Sequence, residues 1–279
     1  MSNLTRVPTM AEMAASGESP EVLFWVGCAG SFDQRAQRIT GALVRILNST
    51  GVKFAILGQE EACTGDPARR AGNEFLFQMM AMQNIATLDA YGVKKIVKAC
   101  PHCFNILKHE YKELGGNYEV IHHSQMMQQL IDEGKLRVSG GEFKGSRITF
   151  HDSCYLGRAN DVYEAPRKVI EALDADLHEM RSCKSRGMCC GAGGAQMFKE
   201  AEPGNQEVNV ARTEEAIETG AEVVAVGCPF CMTMMSDGIK LAEKQESVQV
   251  LDVAELIAQA AGLYADAEKA SGGETAAGE

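Results

Sequence analysis

The sequence has 279 residues, 45% apolar and 23% charged, enough to bury the core of one large or two small globular domains. A net charge of −11 and 6% aromatic residues supply neither a basic surface nor a stacking platform, which argues against nucleic acid or an anionic membrane as the main partner. The apolar runs are strand-length and no apolar leader opens the chain, so a cytoplasmic protein without direct membrane insertion is expected; its ten cysteines then read as ligands rather than disulfides.

Residues 1–20 read as a flexible lead. From there strand-like and helix-like segments alternate. Short buried strands are expected over 22–26, 53–57, 94–98 and 118–121, with helical spacing of apolar residues over 33–48, 67–90, 103–114 and 124–133. The same order returns further on. Strands are expected over 147–150, 176–179, 223–226 and 248–251, and helices over 163–173, 206–219, 231–244 and 253–261. Residues 263–279, rich in Ala, Gly, Glu and Ser, read as a disordered acidic tail. The methionines Met79, Met80, Met232, Met234 and Met235 read as core filler.

The cysteines follow the same doubling. Cys28 and Cys63 precede Cys154 and Cys189 by 126 residues each, and Cys100 and Cys103 precede Cys228 and Cys231 by 128. The chain therefore divides into a first domain over 21–140 and a second over 146–262, meeting near residues 140–145. Each is expected to be an α/β half-domain with a small, largely parallel sheet flanked by helices, the pair related by pseudo-twofold symmetry. In such a sheet ligands bind outside the carboxyl ends of the strands. The cysteines fall just past those ends, so thiols distant in sequence can converge. Pro101 and Pro229 open helices inside C-x-x-C segments and turn backbone N–H groups toward the thiolates.

The most informative stretch is Met188-Cys189-Cys190-Gly191-Ala192-Gly193-Gly194. Adjacent thiols rarely serve one tetrahedral metal, because successive side chains diverge. A cluster of several irons accepts both, which favours iron–sulfur over zinc here. The glycines let backbone approach an inorganic core and offer N–H groups to sulfide.

With these motifs in place, residues 21–262 resemble the cysteine-rich CCG-domain family, typified by the B and D subunits of heterodisulfide reductase. The resemblance rests on Gly-Cys28-Ala-Gly-Ser, Cys63-Thr-Gly-Asp, Cys100-Pro-His-Cys103, His151-Asp-Ser-Cys154, Cys189-Cys190-Gly and Gly-Cys228-Pro-Phe-Cys231. Its wording is most similar to the branch linked to electron-transfer flavoprotein. The resemblance implies a noncubane [4Fe–4S] centre, described as two fused sub-clusters, on Cys154, Cys189, Cys190, Cys228 and Cys231. The first half departs from that pattern, because Thr64 stands where the second half has Cys190. Cys28, Cys63, Cys100 and Cys103 then suit a second [4Fe–4S] cluster or a structural Zn²⁺.

Beside these ligands, His151 is expected to hydrogen-bond a thiolate or deliver a proton, and with Cys154, Cys189 and Cys190 it forms the candidate catalytic set. His102, His122 and His123 are candidate outer-sphere donors of the first site. Arg69, Arg70, Arg158 and Arg186 are candidates for offsetting cluster charge or binding an anion, and Cys183 is either a bystander or a nearby redox thiol.

The resemblance implies an iron–sulfur subunit of a heterodisulfide reductase-like oxidoreductase, exchanging electrons with a disulfide-type or quinone-type acceptor. The alternative is a non-catalytic relay subunit of an electron-transfer-flavoprotein:quinone-type membrane complex. The chain has no ferredoxin cysteine run and no G-x-G-x-x-G fingerprint, so a ferredoxin-like or flavoprotein partner, and a membrane subunit holding it at the inner face, are expected.

Overall fold

Four short apolar strands in each half build a wholly parallel sheet; the computed structural model describes residues 4–138, 141–200 and 203–264. In chain order the first half runs α1 (Met10–Ala15), β1 (Val22–Trp25), α2 (Gly27–Phe32), α3 (Gln34–Ser49), β2 (Phe54–Ala55), α4 (Asp66–Arg70), α5 (Glu74–Ala90), β3 (Lys95–Lys98), α6 (Pro101–Asn105), β4 (Glu119–His122) and α7 (His123–Asp132). The second runs β5 (Arg147–Phe150), α8 (Glu164–Glu171), β6 (Asp176–Leu177), α9 (Val208–Glu218), β7 (Val223–Val226), α10 (Pro229–Leu241), β8 (Gln249–Asp252) and α11 (Val253–Ala260). The sheets have the orders β2-β1-β3-β4 and β6-β5-β7-β8. The register repeats as well: Leu23 faces Ile96 as Ile148 faces Val223. Both sheets thus have their topological switch between the two central strands, where a crevice opens past the strand ends.

The halves share a core. Helix α3 packs against α11, and α7 against α8, two contacts related by the same half-to-half exchange. Leu43, Ile46 and Leu47 from α3 join Leu256, Ile257 and Ala260 from α11, together with Met127, Leu130, Phe150 and Val169, in one buried cluster. Arg35 adds a two-pronged ion pair to Glu255 at 2.7 and 2.8 Å. Helices α7 and α11 open alike, on capping boxes in which His122 pairs with Gln125 and Asp252 with Glu255.

Four expectations need correction. Residues 4–20 are not all lead: Thr9 caps α1 through a capping box, Met10 and Met13 are buried, and Ile56 N–H donates to Pro8 O at 3.0 Å beside a parallel bridge between Thr9 and Ile56. The helix expected over 67–90 is two, because the chain turns at 71–73 and Asn73 accepts from Leu76 N–H to start α5 afresh. The helix expected over 103–114 is α6 followed by a π segment, Ile106–Glu110, and a 3₁₀ turn, Tyr111–Leu114. Met79 is exposed on α5 and so is not core, whereas Met232 and Met235 are buried. The tail beyond Tyr264 lies outside the described residues, as do positions 139–140 at the expected junction.

Candidate metal centre

Each sheet delivers its thiols as the parallel topology requires. In the first half Cys28 lies in α2, three residues past β1; Cys63 is in the loop after β2; Cys100 caps α6 and Cys103 lies within it. With Thr64, Asp66, Lys98, His102 and Phe230 they line one small cavity. Gly65 N–H donates to Cys63 Sγ at 3.5 Å and Thr64 Oγ1 to Cys103 Sγ at 3.5 Å. Interaction with the Cys63 thiol holds Cys28 down to about 6, against the burial that pushes it up.

In the second half Cys154 lies in the turn after β5, Cys189 and Cys190 in the loop 187–190, Cys228 at the cap of α10 and Cys231 inside it. Cys190 Sγ is 3.3 Å from Cys231 Sγ, Ser153 Oγ is 3.4 Å from the same sulfur, and Gly191 N–H donates to Cys189 Sγ at 3.2 Å. Gly191 reaches that position with φ of +92°, a conformation open to glycine. All ten cysteines are free, so these short sulfur separations are not disulfides. Cys189 is held well below the usual thiol range by Cys154 and then Cys190, while that sharing pushes Cys190 up to about 12. Sharing among the thiols thus favours the thiolate at Cys189 and Cys228 and the thiol at Cys154, Cys190 and Cys231.

The two sets meet at the half-domain boundary. Cys228 stays down at about 6 despite complete burial, held there by the Cys100 thiol and then by Cys231. His122 Nε2 lies 3.1 Å from Ala99 O and 3.0 Å from Gly227 O, the carbonyls just before Cys100 and Cys228. His123 continues from His122 to Asp252 Oδ1 at 2.8 Å. These histidines, expected beside the first site, therefore bracket both. His102 crosses the boundary too: Nδ1 is 3.1 Å from Asp66 Oδ2, and its ring packs 4.5 Å from Tyr155 and 5.4 Å from Phe230.

His151 sits fully buried after β5. Its Nδ1 accepts from Arg212 Nε at 3.0 Å, and Nε2 has no hydrogen-bond partner among the described residues. A ring nitrogen of His151 and the sulfurs of Cys190 and Cys231 lie within 4.8 Å of one another. Burial, then the Arg212 charge, pushes His151 down to about 3.

Of the arginines expected near anions, Arg69 and Arg70 are engaged by Glu110 and by Glu113 or Asp66, and Arg158 donates to Gly187 O. Cys183 caps a 3₁₀ turn outside both thiol sets. Three buried cations among the described residues, Lys98, Arg167 and Arg212, were missed by sequence reasoning. Arg212 is fully buried on α9, and Lys98 ends β3 with Nζ donating to Val26 O at 2.6 Å. Lys98 had a signal: superposing the halves sets it against Val226 and sets Gly27 against Ser153. A Cβ on Gly27 would lie 2.2 Å from Lys98 Nζ, so the glycine makes room for the ammonium.

A profile of the family described as Cysteine-rich domain, CCG, matches residues 22–108 and again 148–236. The chain is 47% identical over 254 residues to the probable iron-sulfur-binding oxidoreductase FadF of Bacillus subtilis, covering 91% of this chain and 36% of that protein. It is 46% identical over 247 residues to the EtfAB:quinone oxidoreductase of Syntrophomonas wolfei, covering 86% and 34%. It is 35% identical over 257 residues to the D subunit of dihydromethanophenazine:CoB–CoM heterodisulfide reductase from Methanosarcina barkeri, covering 88% and 60%. The chain thus spans about a third of the first two relatives' length.

Proposed function

Because this chain belongs to the family of cysteine-rich CCG domains, we propose that it is the iron–sulfur part of a heterodisulfide reductase-like oxidoreductase, passing electrons to or from a disulfide-type or quinone-type acceptor. The observation that carries this reading is the convergence of five free thiols in the second half, with two sulfurs 3.3 Å apart and an orphaned buried nitrogen beside them. Such a donor set fits an iron–sulfur group. Cys154, Cys189, Cys190, Cys228 and Cys231 would hold a noncubane [4Fe–4S] centre; Cys28, Cys63, Cys100 and Cys103 would hold a second [4Fe–4S] group or Zn²⁺.

When bound, an iron–sulfur group supplies reversible one-electron storage. The chain's own residues do the rest. Gly65 and Gly191 hold the cysteine sulfurs through backbone N–H groups, and Lys98 places a positive charge beside the first set. His122 ties together the carbonyls that precede Cys100 and Cys228 and so fixes the two thiol-bearing segments against each other. The sheets and their buried ends exclude water from Cys100, Cys103, Cys190, Cys228 and Cys231.

The domain limits 21–140 and 146–262 are part of this reading. So are a ferredoxin-like or flavoprotein donor and a membrane subunit, since the relatives' names speak of EtfAB, quinone and heterodisulfide. Ten free thiols fit a reducing, cytoplasmic setting, and no helix among the described residues is long and apolar enough to cross a membrane. A pure relay is the second reading, favoured by Thr64 in place of a fifth thiol in the first set.

Metal and sulfide analysis with electron paramagnetic resonance, on protein purified without oxygen, tests the proposal. About eight iron per chain and no zinc supports two redox centres; about four iron with one zinc moves the relay ahead. Colourless protein with zinc alone overturns both.

A further inference from the structure

We propose that His151 is a fixed N–H donor to the sulfurs of the second thiol set, that Arg212 is the positioning residue that holds its tautomer, and that His151 neither ligates iron nor shuttles protons. This rests on the iron–sulfur reading of that set.

Donors and acceptors in a fully buried place must balance, and here the balance fixes the ring. Arg212 Nε is 3.0 Å from His151 Nδ1, and both side chains are wholly inaccessible. A guanidinium has donors only and keeps its charge, so the proton in this bond belongs to arginine and Nδ1 must accept it with a lone pair. A ring that accepts at Nδ1 carries its own hydrogen at Nε2. That Nε2 is buried and has no partner among the described residues, which a native interior tolerates only when something else completes the site. Cys190 Sγ and Cys231 Sγ are the nearby acceptors, grouped with a His151 ring nitrogen within 4.8 Å. Ligation would need a lone pair on Nε2, which this tautomer lacks. Proton shuttling would need exchange through Nδ1, which Arg212 closes.

Arg212 is itself held through Nε and Nη1, while its Nη2, like His151 Nε2, is buried with no hydrogen-bond partner among the described residues. Nη1 donates to Ser182 O at 2.8 Å and to Glu215 Oε2 at 2.7 Å, and Glu215 also receives Ser182 N–H. The clamp runs from α9 to the segment that leads into the Cys189-Cys190 loop. An N–H directed at thiolate or sulfide stabilises the more negative, reduced state, so the donor raises the reduction potential of the second centre.

The test uses the full chain, purified without oxygen and labelled with ¹⁵N-histidine. Pulsed electron paramagnetic resonance of the reduced protein is expected to show one weak ¹⁵N coupling of hydrogen-bond size on the signal that Cys190→Ser abolishes. His151→Leu is expected to keep the iron, lose that coupling and shift the reduction equilibrium of this centre at least about tenfold toward the oxidised form, about 59 mV for one electron. His151→Gln, which retains an N–H donor, is expected to restore most of the potential, and Arg212→Met to lower it with the iron retained. A coupling of directly bonded size, loss of iron from His151→Leu equal to that of Cys190→Ser, or an unchanged potential in His151→Leu would overturn the assignment. The coupling measurement needs no variant of His151, so misfolding of His151→Leu does not spare the proposal. Wild-type protein that binds no iron would overturn the iron–sulfur reading itself, a result distinguishable before any variant is made.

Discussion

Thr64 Oγ1 lies 3.5 Å from Cys103 Sγ, in the relation that Cys190 Sγ bears to Cys231 Sγ at 3.3 Å in the other half. The two halves keep one scaffold and exchange a hydroxyl for a thiol at this point. Thr64→Cys is therefore expected to complete a five-thiol set in the first half and make its electron paramagnetic resonance spectrum resemble that of the second. A spectrum that does not move would mean that the fifth sulfur is not what distinguishes the sites.

Cys190 is buried against Cys231, whereas Cys183 caps a turn outside both sets. Cys190→Ser is expected to lose or convert the second centre, and Cys183→Ser to leave iron content and spectrum unchanged. Iron analysis and spectra of the two variants side by side provide the check; equal effects would show the ligand set to be wrong.

Lys98 is a buried cation lining the first thiol set. Reduction adds negative charge next to it, so Lys98→Met is expected to lower the reduction potential of the first centre and leave the second nearly unaffected. Gly27→Ala is expected to disturb the same site from the other side, because its Cβ would meet Nζ at 2.2 Å and φ there is +75°. Redox titration monitored separately at each signal decides; equal shifts at both centres would deny Lys98 its local role.

Leu256 on α11 is fully buried in the core that both halves share. Leu256→Ala is expected to cost about 2–5 kcal/mol through lost burial and the cavity left behind. The halves should still unfold in a single transition, because α3, α7, α8 and α11 belong to one core. Calorimetry that resolved two transitions, with only the second displaced, would show the halves to be independent.

The duplicated cysteine ladder and the alternation of strands and helices were readable in the sequence, since both depend on residue type and spacing alone. So were both largely parallel sheets and the gathering of the cysteines past their strand ends, with most element limits within two residues, whereas the strand order that sets the switch point was not. The break after α4 and the burial of Met10 and Met13 were not legible. A two- or three-residue turn leaves the helical period on either side intact, and two methionines on one short helix acquire a buried face only when a sheet is present to cover them.

The site divides in the same way. The sequence by itself determined which cysteines fall in each half and that the first has Thr64 where the second has Cys190, because residue type and order are read directly. Only the tertiary structure decided that His122 spans the carbonyls before Cys100 and Cys228, and that Lys98, Arg167 and Arg212 are cations buried near the two sets. Those facts depend on which side chains face each other once α3 meets α11 and α7 meets α8. No spacing along the chain encodes a contact made by packing one half against the other.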